Sequence, residues 1–144
     1  MSDLRSEVLA VLDRYATALD RRDWALLERV FVEDLVFDAG EWVMRDRASY
    51  IHTVRGYLEG CGPTQHLLGN YRVELEGENA ATSACYVRAF HLDAEPGAAL
   101  TYEMGGEYRD QLRRTPDGWR IHHRTLEVLY EVGSRDVLRR GPEG

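Results

Sequence analysis

The chain has 144 residues, 44% hydrophobic and 30% charged, enough apolar surface to close one core and too balanced a composition for a disordered segment. Eighteen basic against 25 acidic residues give a formal net charge of −7, which excludes a nucleic-acid surface built on clustered Lys and Arg. No apolar run is long enough to span a bilayer, the charged start "MSDLRSEV" lacks the apolar region of a secretory signal, and Cys61 and Cys85 form no paired-thiol motif. A cytoplasmic protein with two reduced thiols is expected.

In chain order, Leu4, Val8, Val11, Leu12, Tyr15, Ala16 and Leu19 repeat at helical spacing and predict an amphipathic helix ending near Asp20. Asp23 is a predicted N-cap for a short second helix burying Trp24, Leu27, Val30 and Phe31. "EDLVFDAGEW" predicts a short strand ending at Gly40, and "RDRASYIHTVRGYLEG" a third helix from about Asp46 to Gly60. The paired basic residues Arg21-Arg22 and Arg113-Arg114 have acids beside them and read as solvated surface.

After Pro63 the period changes. Two extended runs meet at Gly77-Glu78-Asn79, the second closes at residues 94–97, a third covers 99–114, and "WRIHHRTLEVLYEV" follows the turn at 115–118. Helices followed by a four-stranded antiparallel meander make an α+β domain over residues 1–132, with a polar tail over 133–144 that permits one helical turn at 135–139. Long strands and few helices require the sheet to curl, and a curled sheet crossed by a helix encloses a cavity suited to a small molecule.

The chemistry-bearing residues are few. His66, in "TQHLLGN", is either a core histidine or a general base, imidazole being the side chain that titrates near neutral pH. Asp20 has no capping role of the kind Asp23 has, and Ala16, one turn earlier on its face, places it near buried surface, where a carboxylate needs a partner such as His66 or Arg124. Strict alternation puts Arg120, His122, Arg124 and Leu126 on one strand face, so Arg124 could hold an oxyanion and His122 could line the pocket. Asn70 shares a face with His66, and Tyr15, Tyr108 and Tyr50 are candidates for pocket walls or a phenolic acid. The five histidines fall in no metal-ligand spacing, and no phosphate-binding or nucleotide-binding glycine motif occurs, so no metal and no cofactor are expected.

The order "Y-A-x-x-L-D-x-x-D-W", "Q-H-x-x-x-N", "G-G-x-Y-x-D", "D-G-W-R-I-x-x-R", over roughly residues 5–130, resembles the SnoaL-like branch of the nuclear-transport-factor-2-like superfamily. The resemblance implies a cone: a bent antiparallel sheet wrapped on the N-terminal helices, forming a homo-oligomer through the sheet. Within it, scytalone dehydratase and hexachlorocyclohexane dehydrochlorinase look nearest in motif. They imply an Asp–His pair on Asp20 and His66 and, from the dehydrochlorinase, a pocket arginine on Arg124. A second histidine, expected on the third strand, has no match in "MGGEYRD", and Leu19 stands where scytalone dehydratase has a tyrosine. The expected function is a cofactor-independent lyase or isomerase acting on an apolar ring compound, with His66 abstracting a proton while Asp20 orients it. Cyclisation or hydrolysis in the same pocket, with Asp20 as acid, and non-catalytic binding of a small molecule are the alternatives.

Overall fold

The structure is a computed structural model and describes residues 3–95, 97 and 100–138. Asp3 opens α1 (Leu4–Asp20) by accepting the Ser6 amide, and Val8, Val11, Leu12, Tyr15, Ala18 and Leu19 form its buried stripe. Asp23 accepts the Leu26 amide, as its predicted N-cap role requires, but the element it starts is a 3-10 turn, Trp24–Arg29. The chain then enters β1 (Phe31–Asp38), makes a brief β2 (Val43–Met44), and forms α2 (Arg47–Leu58), which Asp46 caps through the Ser49 amide. Four long strands follow: β3 (Thr64–Leu75), β4 (Ala80–Leu92), β5 (Thr101–Thr115) and β6 (Gly118–Gly133). A last 3-10 turn, Arg135–Leu138, realises the helical turn expected there; residues 139–144 lie outside the described ones.

β3 to β6 pair as the expected antiparallel meander. The sheet nevertheless has six strands, in the order β2-β1-β6-β5-β4-β3, and is mixed, because β1 lies parallel to β6. It is curved and does not close. Its inner face meets α1, and the core runs from Val8, Leu12 and Leu27 to Leu35, Leu112, Trp119 and Ile121. Both cysteines are free, and among the described residues no helix is long and apolar enough to cross a membrane.

Curvature comes from interruptions in the ladder. Register shifts occur between Gly69 and Arg72 on β3, between Gly105 and Gly106 against β6, and between Gln111 and Leu112, opposite His122. Each adds residues to one strand and bends it. The last also inverts the alternation of β6. Trp119, Ile121 and Arg124 are buried together, so His122 does not share the face of Arg124 as strict alternation predicts. Asn70 sits within the β3 interruption at φ 51 and is exposed, its carbonyl accepting Nε of Arg72. Its place is in the bulge, not beside His66.

Two glycines test this account of the bends. A Cβ on Gly106 would lie 2.6 Å from the Glu127 carbonyl oxygen, whereas one on Gly69 meets nothing within 4 Å. Gly106→Ala should therefore cost about 1–3 kcal/mol, and Gly69→Ala should be neutral or stabilise by up to about 1 kcal/mol. Urea denaturation of both variants decides it, and equal midpoints would count against the tight β5–β6 approach.

Candidate active site

Asp20 is the last residue of α1, where the unpaired helix carbonyls disfavour an acid. Three donors compensate. The His66 amide donates to Oδ2 at 2.8 Å, His66 Nδ1–H donates to Oδ1 at 2.7 Å, and the Thr64 hydroxyl donates to Oδ1 at 3.0 Å. Burial works against the Asp20 charge, but the His66 ring, the His66 amide and Thr64 outweigh it and hold the carboxyl below its ordinary range. Because the carboxylate accepts at Nδ1, the neutral His66 ring carries its proton there and keeps a lone pair on Nε2.

Arg22 supports this pair from behind. At φ 55 it turns back over the helix end and donates to the Leu19 carbonyl, the Gly62 carbonyl and the Thr64 hydroxyl, at 2.7–2.8 Å. Arg22 is thus half-buried and structural, which corrects its reading as solvated surface. Its charge neighbours looked ordinary in sequence, and the Thr64 partner lies 42 positions away.

A cavity of about 820 Å³ opens beside His66. Tyr15 and Leu19 of α1, Tyr50, Val54 and Leu58 of α2, and Phe37, Trp42 and Met44 from the β1–β2 corner line one side. His66, Ala89, His91, Tyr102, Met104 and Tyr108 line the other. Of the sequence-predicted residues, Asp20, His66, Tyr15, Tyr50 and Tyr108 therefore come together. His122 and Asn70 do not reach the cavity, for the reasons given by the two bulges.

Tyr50 donates to the Tyr15 hydroxyl at 3.0 Å, and the Tyr15 and Tyr108 hydroxyls are 2.9 Å apart. Arg124 lies behind this chain, fully buried, gripping Asp110 through Nε at 2.7 Å and Nη2 at 2.9 Å. Its guanidinium stacks 4.2 Å from the Tyr15 ring centre and 3.9 Å from that of Tyr108. It does not line the cavity, so the rings separate it from any ligand, and an arginine that binds an oxyanion directly is not what this geometry provides.

His91 was passed over in sequence. It stands on β4, its ring centre 5.8 Å from that of His66, and its Nδ1–H donates to the Tyr102 carbonyl at 3.0 Å. The second imidazole thus comes from β4 instead of the third meander strand. The signal was legible: Ala81, Ser83, Cys85, Val87, Ala89 and His91 form an unbroken buried alternation, and a histidine on an inner face asks for a role. Burial, against the pull of the Tyr102 carbonyl and helped by the His66 and Arg22 charges, pushes His91 down to about 4. Tyr102 in turn donates its hydroxyl to Glu131, which also pairs with Arg135 at the cavity rim.

A curved sheet on helices, with an imidazole–carboxylate pair at the wall of a cavity, defines an α+β cone. The chain belongs to the SnoaL-like domain family, whose sequence pattern matches residues 1–125. The Mycobacterium tuberculosis protein Rv2910c is 31% identical over 129 residues, covering 88% of this chain and 86% of its own length. The crystal structure of the Kfla4162 protein from Kribbella flavida superposes with a TM-score of 0.84 at 26% identity, covering 94% of this chain and 96% of that one. A hexachlorocyclohexane dehydrochlorinase, LinA type 2, shares the fold with a TM-score of 0.77 at 14% identity, covering 90% and 88%.

His91 makes stability depend on pH. The unfolded imidazole takes a proton near 6.5 and the folded one only near 4, so between these values the unfolded chain binds more protons. Stability should fall as pH drops from 6.5 toward 4, by roughly 3 kcal/mol when fully expressed. In His91→Gln this component of the slope should vanish, and urea unfolding at stepped pH that gives parallel curves for both proteins would contradict it.

Proposed function

We propose that the protein is a cofactor-independent lyase or isomerase acting on an apolar, ring-containing small molecule. The observation that carries this reading is the 2.7 Å contact between His66 Nδ1 and Asp20 at the wall of the cavity. Asp20 fixes the tautomer and stabilises the imidazolium, leaving Nε2 to take a proton from carbon beside an electron-withdrawing group. The fold kinship to a dehydrochlorinase is in keeping with elimination chemistry, and belongs here as support only.

The tyrosine chain supplies the opposite pole. Three phenols hold three O–H protons, and two hydrogen bonds join them, so one proton is left over on Tyr15 or Tyr108. That proton would bind a ligand oxygen and stabilise charge developing on it. His91, with an unprotonated Nε2, would accept a hydrogen bond from a ligand hydroxyl. In a dehydration, the proton taken by His66 returns to the departing hydroxyl and water leaves, so no outside reagent is consumed.

We further propose a homo-oligomer, built on the outer face of the sheet. The register aligns Leu67, Arg88, Gly105 and Tyr130 in one row and Gln65, Phe90, Glu103 and Val132 in the next. Leu67, Phe90, Tyr130 and Val132 are 40–60% exposed there, and such apolar side chains on one face can be covered by a second copy. Light scattering should give a multiple of the 16.5 kDa chain mass, and Val132→Glu should reduce it. A wild-type monomer at micromolar concentration would rule the assembly out.

Mass spectrometry of molecules that co-purify, followed by a screen of hydroxylated cyclic ketones for loss of water, identifies a substrate. With it, His66→Gln and Asp20→Asn should each lower kcat about 10²–10⁴-fold, and Tyr108→Phe should lower it less while raising KM. Folded His66→Gln and Asp20→Asn proteins that retain full turnover would falsify the mechanism.

A further inference from the structure

Arg124 and Asp110 are both fully buried at the side chain, and neither reaches the cavity. A buried ion pair is rarely retained for stability, because desolvation consumes most of what the attraction returns. The position of this one is asymmetric. The guanidinium lies against the rings of Tyr15 and Tyr108, at 4.2 and 3.9 Å, with Phe31 at 5.7 Å, while Asp110 accepts from its Nε and Nη2. Its Nη1 has no hydrogen-bond partner among the described residues, so that end of the cation is not neutralised by an acceptor.

We propose that Arg124 is a positioning residue for the phenol chain: its unshared positive charge behind Tyr15 and Tyr108 makes their leftover O–H proton a stronger donor to a ligand oxygen, and Asp110 sets how much of that charge the rings feel. The proposal rests on the reading of the chain as the donor pole of the site.

The physical argument is one of sign and distance. Burial first, then the neighbouring phenols and the hydrogen bonds to Tyr15, raise the Tyr108 and Tyr50 phenols well above their ordinary value, which makes them weak donors, and the Arg124 charge acts in the opposite direction on both. A cation held in a dry interior acts over a few ångströms with little screening. Asp110 is on the same strand as Tyr108, two residues on, and its carboxylate is engaged by the guanidinium. The site thus separates the two tasks that one pocket arginine would combine. Charge comes from behind the rings, and contact comes from the phenol, so a neutral ligand with an acceptor oxygen is bound without touching the Arg124 cation.

The other ionisable groups packed on the chain are Tyr50 from α2, His66 from β3 and Cys85 from β4. Burial raises the Cys85 thiol to about 12, so it stays uncharged across the working range. All variants carry His66→Gln, which removes the imidazole beside the Tyr15 ring from the comparison.

The experiment places a ring-fluorinated tyrosine, whose phenol titrates near neutrality, at position 108 of the ligand-free protein and follows it by fluorine NMR. Asp110→Asn leaves the guanidinium hydrogen-bonded but unopposed, and the phenol pKa should fall by about one unit. The pair replacement Arg124→Met/Asp110→Leu removes both charges in favour of apolar side chains, a change that buried pairs often tolerate, and the phenol pKa should rise by about one unit. Arg124→Lys, which keeps the charge but not the stacking, should fall between wild type and the pair replacement. Opposite shifts from the first two variants support the proposal, since a merely structural pair would move both the same way or neither. A phenol unmoved in Asp110→Asn overturns it, even if the pair replacement does not fold. The titration uses no substrate, so its outcome stands apart from whether His66 and Asp20 prove catalytic.

Discussion

A carboxylate at the C-terminal end of a helix stands where a cation would be better placed, and the Asp20 carboxylate is kept there by donors that belong to another element. Both its oxygens are engaged by the first residues of β3: Thr64 and the His66 ring on one, the His66 amide on the other. That arrangement ties the end of α1 to the start of the sheet's outermost long strand. It fixes the depth of the cavity, because α1 can neither slide along the sheet nor swing away from it without breaking three hydrogen bonds to one charged group. It also fixes the His66 ring, whose orientation and tautomer follow from the same contact.

On the far wall the organising element is the fully buried Arg124–Asp110 pair, with the tyrosine chain laid over it. Two ionic devices thus bracket one apolar space. At the first, a half-buried carboxylate orients an imidazole; at the second, a buried cation backs a row of phenols. Across it, a lone pair on one side faces phenol hydroxyls on the other, with aromatic and aliphatic walls from Phe37, Trp42 and Met44 beside them. The proposed proton abstraction would use that polarity.

Much of this was legible from local pattern. The helical stripe from Leu4 to Leu19, the cap at Asp23, the helix start near Asp46, and the turns between the long strands are short-range properties, and the structure contains them. Resemblance and the absence of any local job for Asp20 both point to its pairing with His66, and in the structure the two are in contact. Two placements failed at bulges. Alternation places Asn70 on the face of His66 and His122 on that of Arg124, and a single inserted residue in each strand turns them away from it. His91 was missed for the opposite reason: its strand alternates without a break, but no partner nearby in sequence drew attention to it.

By itself, then, the order of residues determined the first and third helices and the four long strands, where they turn, and that one acid and one histidine were available without local duties. These are consequences of periodicity and short-range hydrogen bonding, which act over a handful of positions. Only the tertiary structure decided that β1 joins β6 in parallel, that Arg124 faces Asp110 and the tyrosine rings instead of the cavity, and that Arg22 and Thr64 stand behind Asp20. Each of those depends on strand register and on the fit of charges brought together from positions far apart in the chain. The energy of such contacts exists only once the sheet has bent around α1, so no local pattern carries it.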